Sequence, residues 1–190
     1  MRRRGARLVV VTGLAPTIAL LACASGPLRR TPSARRPVPP STLPVPGEAV
    51  VPIRLSSVAG AGDAARRAST RLALEGLDED AAAQPALAAD RYARALQVDP
   101  TNPWVYLALA RHRLDEGRPG DALAALDQAE ARLRVEGALA PGVEVDLIGL
   151  RGSALVASGN SERGASLLRD AAQSAPEVWS DGRLDASELR

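Results

Sequence analysis

The stretch Ala88-Ala89-Asp90-Arg91-Tyr92-Ala93-Arg94-Ala95-Leu96-Gln97-Val98-Asp99-Pro100 decides the fold. Ala88, Tyr92 and Ala95 follow the i, i+4, i+7 spacing of one helix face, and the face alternates small, large and small before Asp-Pro closes it. Thirty-four positions later the same order of sizes returns as Ala122, Leu126 and Ala129. Between the two copies stand Trp104, Tyr106, Leu107, Leu109 and Ala110, the apolar residues of a further helix. Asn102-Pro103 predicts its N-cap with Pro at the first helical position. Gly117 predicts a left-handed C-cap, and Pro119-Gly120-Asp121 the turn into the next helix. A fixed period of this length indicates a repeated helix pair.

These residues resemble the tetratricopeptide repeat, a 34-residue pair of antiparallel helices. In that family small residues sit where the helices cross, larger ones fill the next layer and a glycine ends the first helix. A further copy is found in Gly152, Gly159, Gly164, Leu168, Ala171 and Pro176 at an offset of 42, which implies about eight inserted residues. Gly137, Pro141 and Gly142 place them in a longer turn within 135–145. An earlier copy keeps Leu72 and Gly76, while Asp78-Glu79-Asp80 and Pro85 enlarge its turn. The expected fold is all-α: a short α-solenoid of about three such helix-turn-helix repeats over residues 63–180, after a disordered Pro-rich tether and before a polar tail, 181–190.

The N-terminal end has a different composition. Arg2, Arg3, Arg4 and Arg7 precede an apolar run from Leu8 to Leu21 that is short for a membrane span and interrupted by Pro16. Leu20-Leu21-Ala22-Cys23 resembles the lipobox of bacterial lipoproteins. The resemblance implies that residues 1–22 are a signal peptide and that the Cys23 thiol takes a diacylglycerol, its new amine an N-acyl chain. Two or three acyl chains anchor firmly where one does not. Ala24, in place of an Asp, favours the outer membrane by the same resemblance, with the protein facing the periplasm.

Residues 23–62 read as the tether. Arg36-Pro37-Val38-Pro39-Pro40 and Leu43-Pro44-Val45-Pro46-Gly47 favour extended polyproline geometry. Arg29, Arg30, Arg35 and Arg36 are open to two readings, contact with anionic headgroups or simple solvation.

Charge is segregated along the chain. Up to Arg67 there are 11 Arg against two acids; from Ala68 onward there are 13 Arg against 20 acids. Removal of residues 1–22 takes four Arg and no acid, leaving 20 Arg against 22 acids, a net of −2. Nucleic-acid binding is not expected of such a chain. The single Cys rules out an intrachain disulfide. The apolar 46% is Ala, Leu and Val with no Phe, which suits helices packed closely over small side chains.

No catalytic constellation emerges, and neither a cofactor nor a small-molecule substrate is expected. His112, the only His, lies between Arg111 and Arg113 and reads as a solvated surface residue. Asp78-Glu79-Asp80 lacks the donor spacing of a calcium loop and reads as a solvated turn. The resemblance implies instead a binding face lined by the first helix of each repeat, with Trp104, Leu107, Ala108, Arg111, Leu114 and Asp115 on it in the middle copy. Trp104 has two readings, interface anchor or seal against the preceding repeat. The function implied is a lipid-anchored, periplasm-facing adaptor for envelope proteins, as in pilus, secretin or outer-membrane assembly. The alternative is a non-catalytic subunit of an enzyme acting on peptidoglycan or polysaccharide.

Overall fold

The computed structural model describes residues 49–190. Among them lie nine helices and no strand: α1 (Leu55–Val58), α2 (Ala64–Ala81), α3 (Pro85–Val98), α4 (Pro103–Asp115), α5 (Pro119–Glu136), α6 (Pro141–Ala157), α7 (Ser161–Ser174), α8 (Pro176–Trp179) and α9 (Ala186–Leu189). α2 packs on α3, α4 on α5 and α6 on α7, giving three consecutive helix pairs. Along the stack α2 meets α4 and α4 meets α6, while α3 and α5 reach the next pair through α4 and α6. The first helices therefore line the inner face of a tetratricopeptide-like solenoid.

The pairs close over small residues. A Cβ on Gly76 would meet the Tyr92 ring at 2.6 Å, and a Cβ on Gly164 would meet the Gly152 carbonyl oxygen at 2.7 Å. Ala110 and Ala122, both fully buried, hold the equivalent places in the middle pair. Tyr92, Leu126, Ala95, Ala129 and Ala171 are also fully buried, so the spacing that predicted the repeat is the spacing of the core.

Asn102 caps α4 as expected, its Oδ1 accepting from the Trp104 amide at 3.1 Å. Its Nδ2 donates to Ser69 Oγ and Thr70 Oγ1 at 3.1 and 3.0 Å, so the same buried side chain stitches the middle pair to the first.

Two expectations about turns are corrected. The eight inserted residues do not lengthen a loop. The α5–α6 connection is four residues, 137–140, as is the α3–α4 connection, 99–102. α5 instead runs 18 residues against 14 in α3, and α6 runs 17 against 13 in α4. One extra turn at the end of α5 is matched by one at the start of α6, lengthening both by about 6 Å. Gly137, at φ 67°, makes the sharp stop this requires.

The enlarged turn expected in the first copy is also absent. Asp78-Glu79-Asp80 belongs to the last turns of α2, and three residues, 82–84, lead to α3, as in the other two pairs. Ala83, at φ 57°, occupies the place taken by Gly117 (φ 70°) and Gly159 (φ 89°).

Both flanks of the repeats differ from their compositional reading. Residues 49–62, assigned to the tether, include a packed segment: the Val50 amide donates to the Ser174 carbonyl at 2.8 Å and Leu55 is fully buried. Val50, Ile53, Leu55 and Val58 supply the apolar contacts that hold this segment on the repeats. Residues 181–190, expected to be a polar tail, bury Leu184, Ala186 and Leu189. α9 lies against α2 at the opposite end of the solenoid from α7.

Candidate binding face

The stripe of α4 that faces inward carries Trp104, Ala108 and His112 at four-residue intervals, with Leu107 and Arg111 beside them. All five are buried. His112 is therefore not the solvated residue expected: it has no exposed surface, and its ring stands 5.3 Å from that of Tyr92.

Asp80 gathers this region. Its Oδ2 accepts from Tyr92 Oη at 2.9 Å and from Arg111 Nη1 at 3.1 Å, and its Oδ1 lies 2.8 Å from His112 Nδ1. A carboxylate can only accept, so Nδ1 is the donor in this contact. Burial, followed by the Asp80 charge, raises the Tyr92 hydroxyl well above its ordinary range and keeps it a neutral donor. Asp80 is thus the hub of an interhelix network joining α2, α3 and α4, in place of the solvated turn residue expected.

Arg111 extends the network in three directions. Besides Asp80, it holds Asp115 Oδ2 at 2.6 Å from Nη2 and donates from Nε to the Leu184 carbonyl at 2.9 Å. Leu184 belongs to the tail. Ser153 Oγ on α6 shares its one proton between the Gly182 carbonyl at 3.0 Å and the Gly149 carbonyl of its own helix at 3.1 Å, and the Ser56 amide donates to the Arg190 carbonyl at 2.9 Å. Arg190 also pairs with Asp78 of α2. The tail therefore crosses the inner face from α6 over α4 to α2, held by backbone hydrogen bonds and by the buried Leu184, Ala186 and Leu189.

The six residues placed on this face from sequence divide in two. Arg111, Leu114 and Asp115 line one cleft of about 370 Å³, together with Leu150, Ser153 and the tail's Arg183 and Leu184. Trp104, Leu107 and Ala108 do not line it and are buried.

At the far end of the face stands Asp146 of α6, fully buried. It accepts from Trp179 Nε1 and from the Ile53 amide, both at 3.1 Å. Burial pushes its carboxyl up to about 7 against the lowering effect of these two donors. Sequence reasoning missed Asp146, Asp80 and Ser153. The signal for Asp146 was its place among Val143, Val145, Leu147 and Ile148, an apolar run that it shares only with Glu144.

Residues 81–140 match the family model of the tetratricopeptide repeat. The match takes in α3, α4 and α5, and tetratricopeptide repeats point to a protein–protein interaction scaffold. No curated protein and no solved structure matches the chain. Among the described residues no group of three or more His, Cys, Asp and Glu is arranged to hold a metal, and no helix is long and apolar enough to cross a membrane. Leu20, Leu21, Ala22 and Cys23 lie outside the described residues, as does the tether up to residue 48.

Proposed function

We propose that this chain is a lipid-anchored scaffold of the bacterial cell envelope, whose tetratricopeptide pairs dock a protein partner on their inner face. Cys23 carries the diacylglycerol and N-acyl groups, and the Pro-rich segment holds the repeats away from an outer membrane whose periplasmic side they face. The lipobox-like Leu20-Leu21-Ala22-Cys23 supports the anchor. One observation carries the docking face: Arg111, Leu114 and Asp115 converge on an open cleft where a peptide segment is already hydrogen-bonded through its backbone. Partners in pilus, secretion or outer-membrane assembly suit such a device.

The test is recovery of cross-linked partners from membranes with Leu114→Asp or Asp115→Arg. Both positions lie at the cleft, and neither is fully buried. Loss of a defined partner with retention of helical signal supports the reading. Unchanged recovery from both variants removes the inner face from it.

A further inference from the structure

The segment that fills the inner face is chemically informative. Residues 180–185 have no regular structure, and α9 is a single turn, too short to persist alone. The segment is seated by Leu184, Ala186 and Leu189, which are at most 6% exposed, and by three backbone carbonyls, those of Gly182, Leu184 and Arg190, that accept from Ser153, Arg111 and the Ser56 amide. Its side-chain ion pairs are peripheral. Arg183–Asp115 spans 3.7 Å with side chains 72% and 40% exposed, and Arg190–Asp78 is half exposed, so both contribute little.

The interfaces within the pairs α2–α3, α4–α5 and α6–α7 are built without it. The cleft beside it is continuous with the face it covers, since Arg183 and Leu184 form part of its wall.

We infer that residues 180–190 are a detachable internal ligand, and that the partner occupies the inner face with a segment of the same chemistry. That chemistry is two leucine-sized side chains five positions apart, a small residue two positions after the first, and backbone carbonyls offered to Arg111 and Ser153. The two carbonyls fix the course of residues 182–184, the turn of α9 sets Leu189 relative to Leu184, and selectivity is left to the two apolar seats. The inference rests on the scaffold reading for the existence of a partner, while the closure of the face by the tail stands on the contacts above. A covalently attached tail competes at an effective concentration on the order of millimolar. Only a partner that is locally concentrated or better fitted then displaces it.

The experiment is fluorescence anisotropy with a labelled peptide of residues 180–190, using the full chain and the full chain carrying Leu184→Ala and Leu189→Ala. The variant is expected to bind the peptide at least tenfold more tightly than the wild type, because its own tail no longer competes. A peptide with Asp at both leucine positions is expected not to bind. Absence of binding to a variant that keeps its helical circular dichroism overturns the inference, as does equal binding to both proteins.

Should the variant not fold, hydrogen exchange on the wild type decides. Amides of Leu189 and Arg190 exchanging well ahead of those in α4 support a detachable tail, and exchange only with global unfolding overturns it. A wild-type dimer in sedimentation, with tails exchanged between copies, also overturns it in favour of self-assembly. None of these readouts needs a membrane or an envelope partner, so failure here is distinct from failure of the scaffold reading.

Discussion

Arg111 on α4 donates from Nε to the backbone carbonyl of Leu184, 73 positions further along the chain, at 2.9 Å. The same guanidinium holds Asp80 of α2 and Asp115 of its own helix. One side chain therefore ties the first pair to the second and both to the segment that closes the inner face.

Because Arg111 and Asp80 are 8% and 5% exposed, removing the arginine strands a buried carboxylate with only His112 and Tyr92 as partners. Arg111→Ala is expected to cost about 3–5 kcal/mol. Arg111→Lys is expected to recover only part of it, because an ammonium cannot serve three acceptors in the plane of a guanidinium. Urea denaturation of both variants checks this; equal stability of the Lys variant and wild type would contradict the three-way role.

Asp146 gives the fold a pH dependence opposite to that of an ordinary ion-paired acid. In the folded chain its carboxyl keeps its proton up to about pH 7. In the unfolded chain it ionises near pH 4. Between these values the folded state holds a proton that the unfolded state has released, so stability falls as pH rises and levels off above about 7. The full effect is on the order of 4 kcal/mol. Asp99 works in the other direction: burial opposes its charge, but Arg66 and Thr101 outweigh burial and hold it below the usual range, so its contribution disappears only on strong acidification. Asp146→Asn is expected to flatten the slope between pH 4.5 and 7.5. It should also lower stability at pH 4.5 by about 1–3 kcal/mol, because one amide oxygen cannot accept from both Trp179 and Ile53. A wild-type stability that is flat across this window would contradict the assignment.

Ala83 adopts φ 57° where the other two turns have glycine. The left-handed conformation costs a residue with a Cβ about 1–2 kcal/mol. Ala83→Gly is therefore expected to stabilise the protein, by about 0.5–1 kcal/mol after the added entropy of the unfolded chain is deducted. Gly76→Ala is expected to destabilise it by about 1–3 kcal/mol, since its Cβ would meet the Tyr92 ring at 2.6 Å. Thermal melts of the two variants should move in opposite directions.

Cys23→Ser is expected to move the protein from the membrane fraction to the soluble one while its helical circular dichroism is unchanged. Retention in the membrane fraction would contradict the lipid anchor.

How legible all this was depends on the range of the contacts involved. Ala88, Tyr92 and Ala95 recur at 34 residues because each pair repeats the same local crossing, so the repeat could be read directly. The turn beginning at Ala82 could not, because Ala83 carries no glycine signature and the acids before it look like loop residues. His112 was misread from its arginine neighbours. Its four-residue spacing from Ala108 and Trp104 was the better indicator, placing it on the buried stripe. Leu184 and Leu189 show neither a helical nor a strand period. Their burial depends on α2, α4 and α6, so no local pattern could reveal that the tail lies across the inner face.

The central claim, that a partner is held on the inner face, is tested most directly by a photo-crosslinking residue placed at Ser153 in the membrane-bound protein, compared with the same probe at Arg94 on the exposed side of α3. A discrete adduct is expected from Ser153, increasing when Leu189→Ala loosens the tail, and none from Arg94. Adducts from Arg94 alone, unaffected by the tail variant, would contradict that claim.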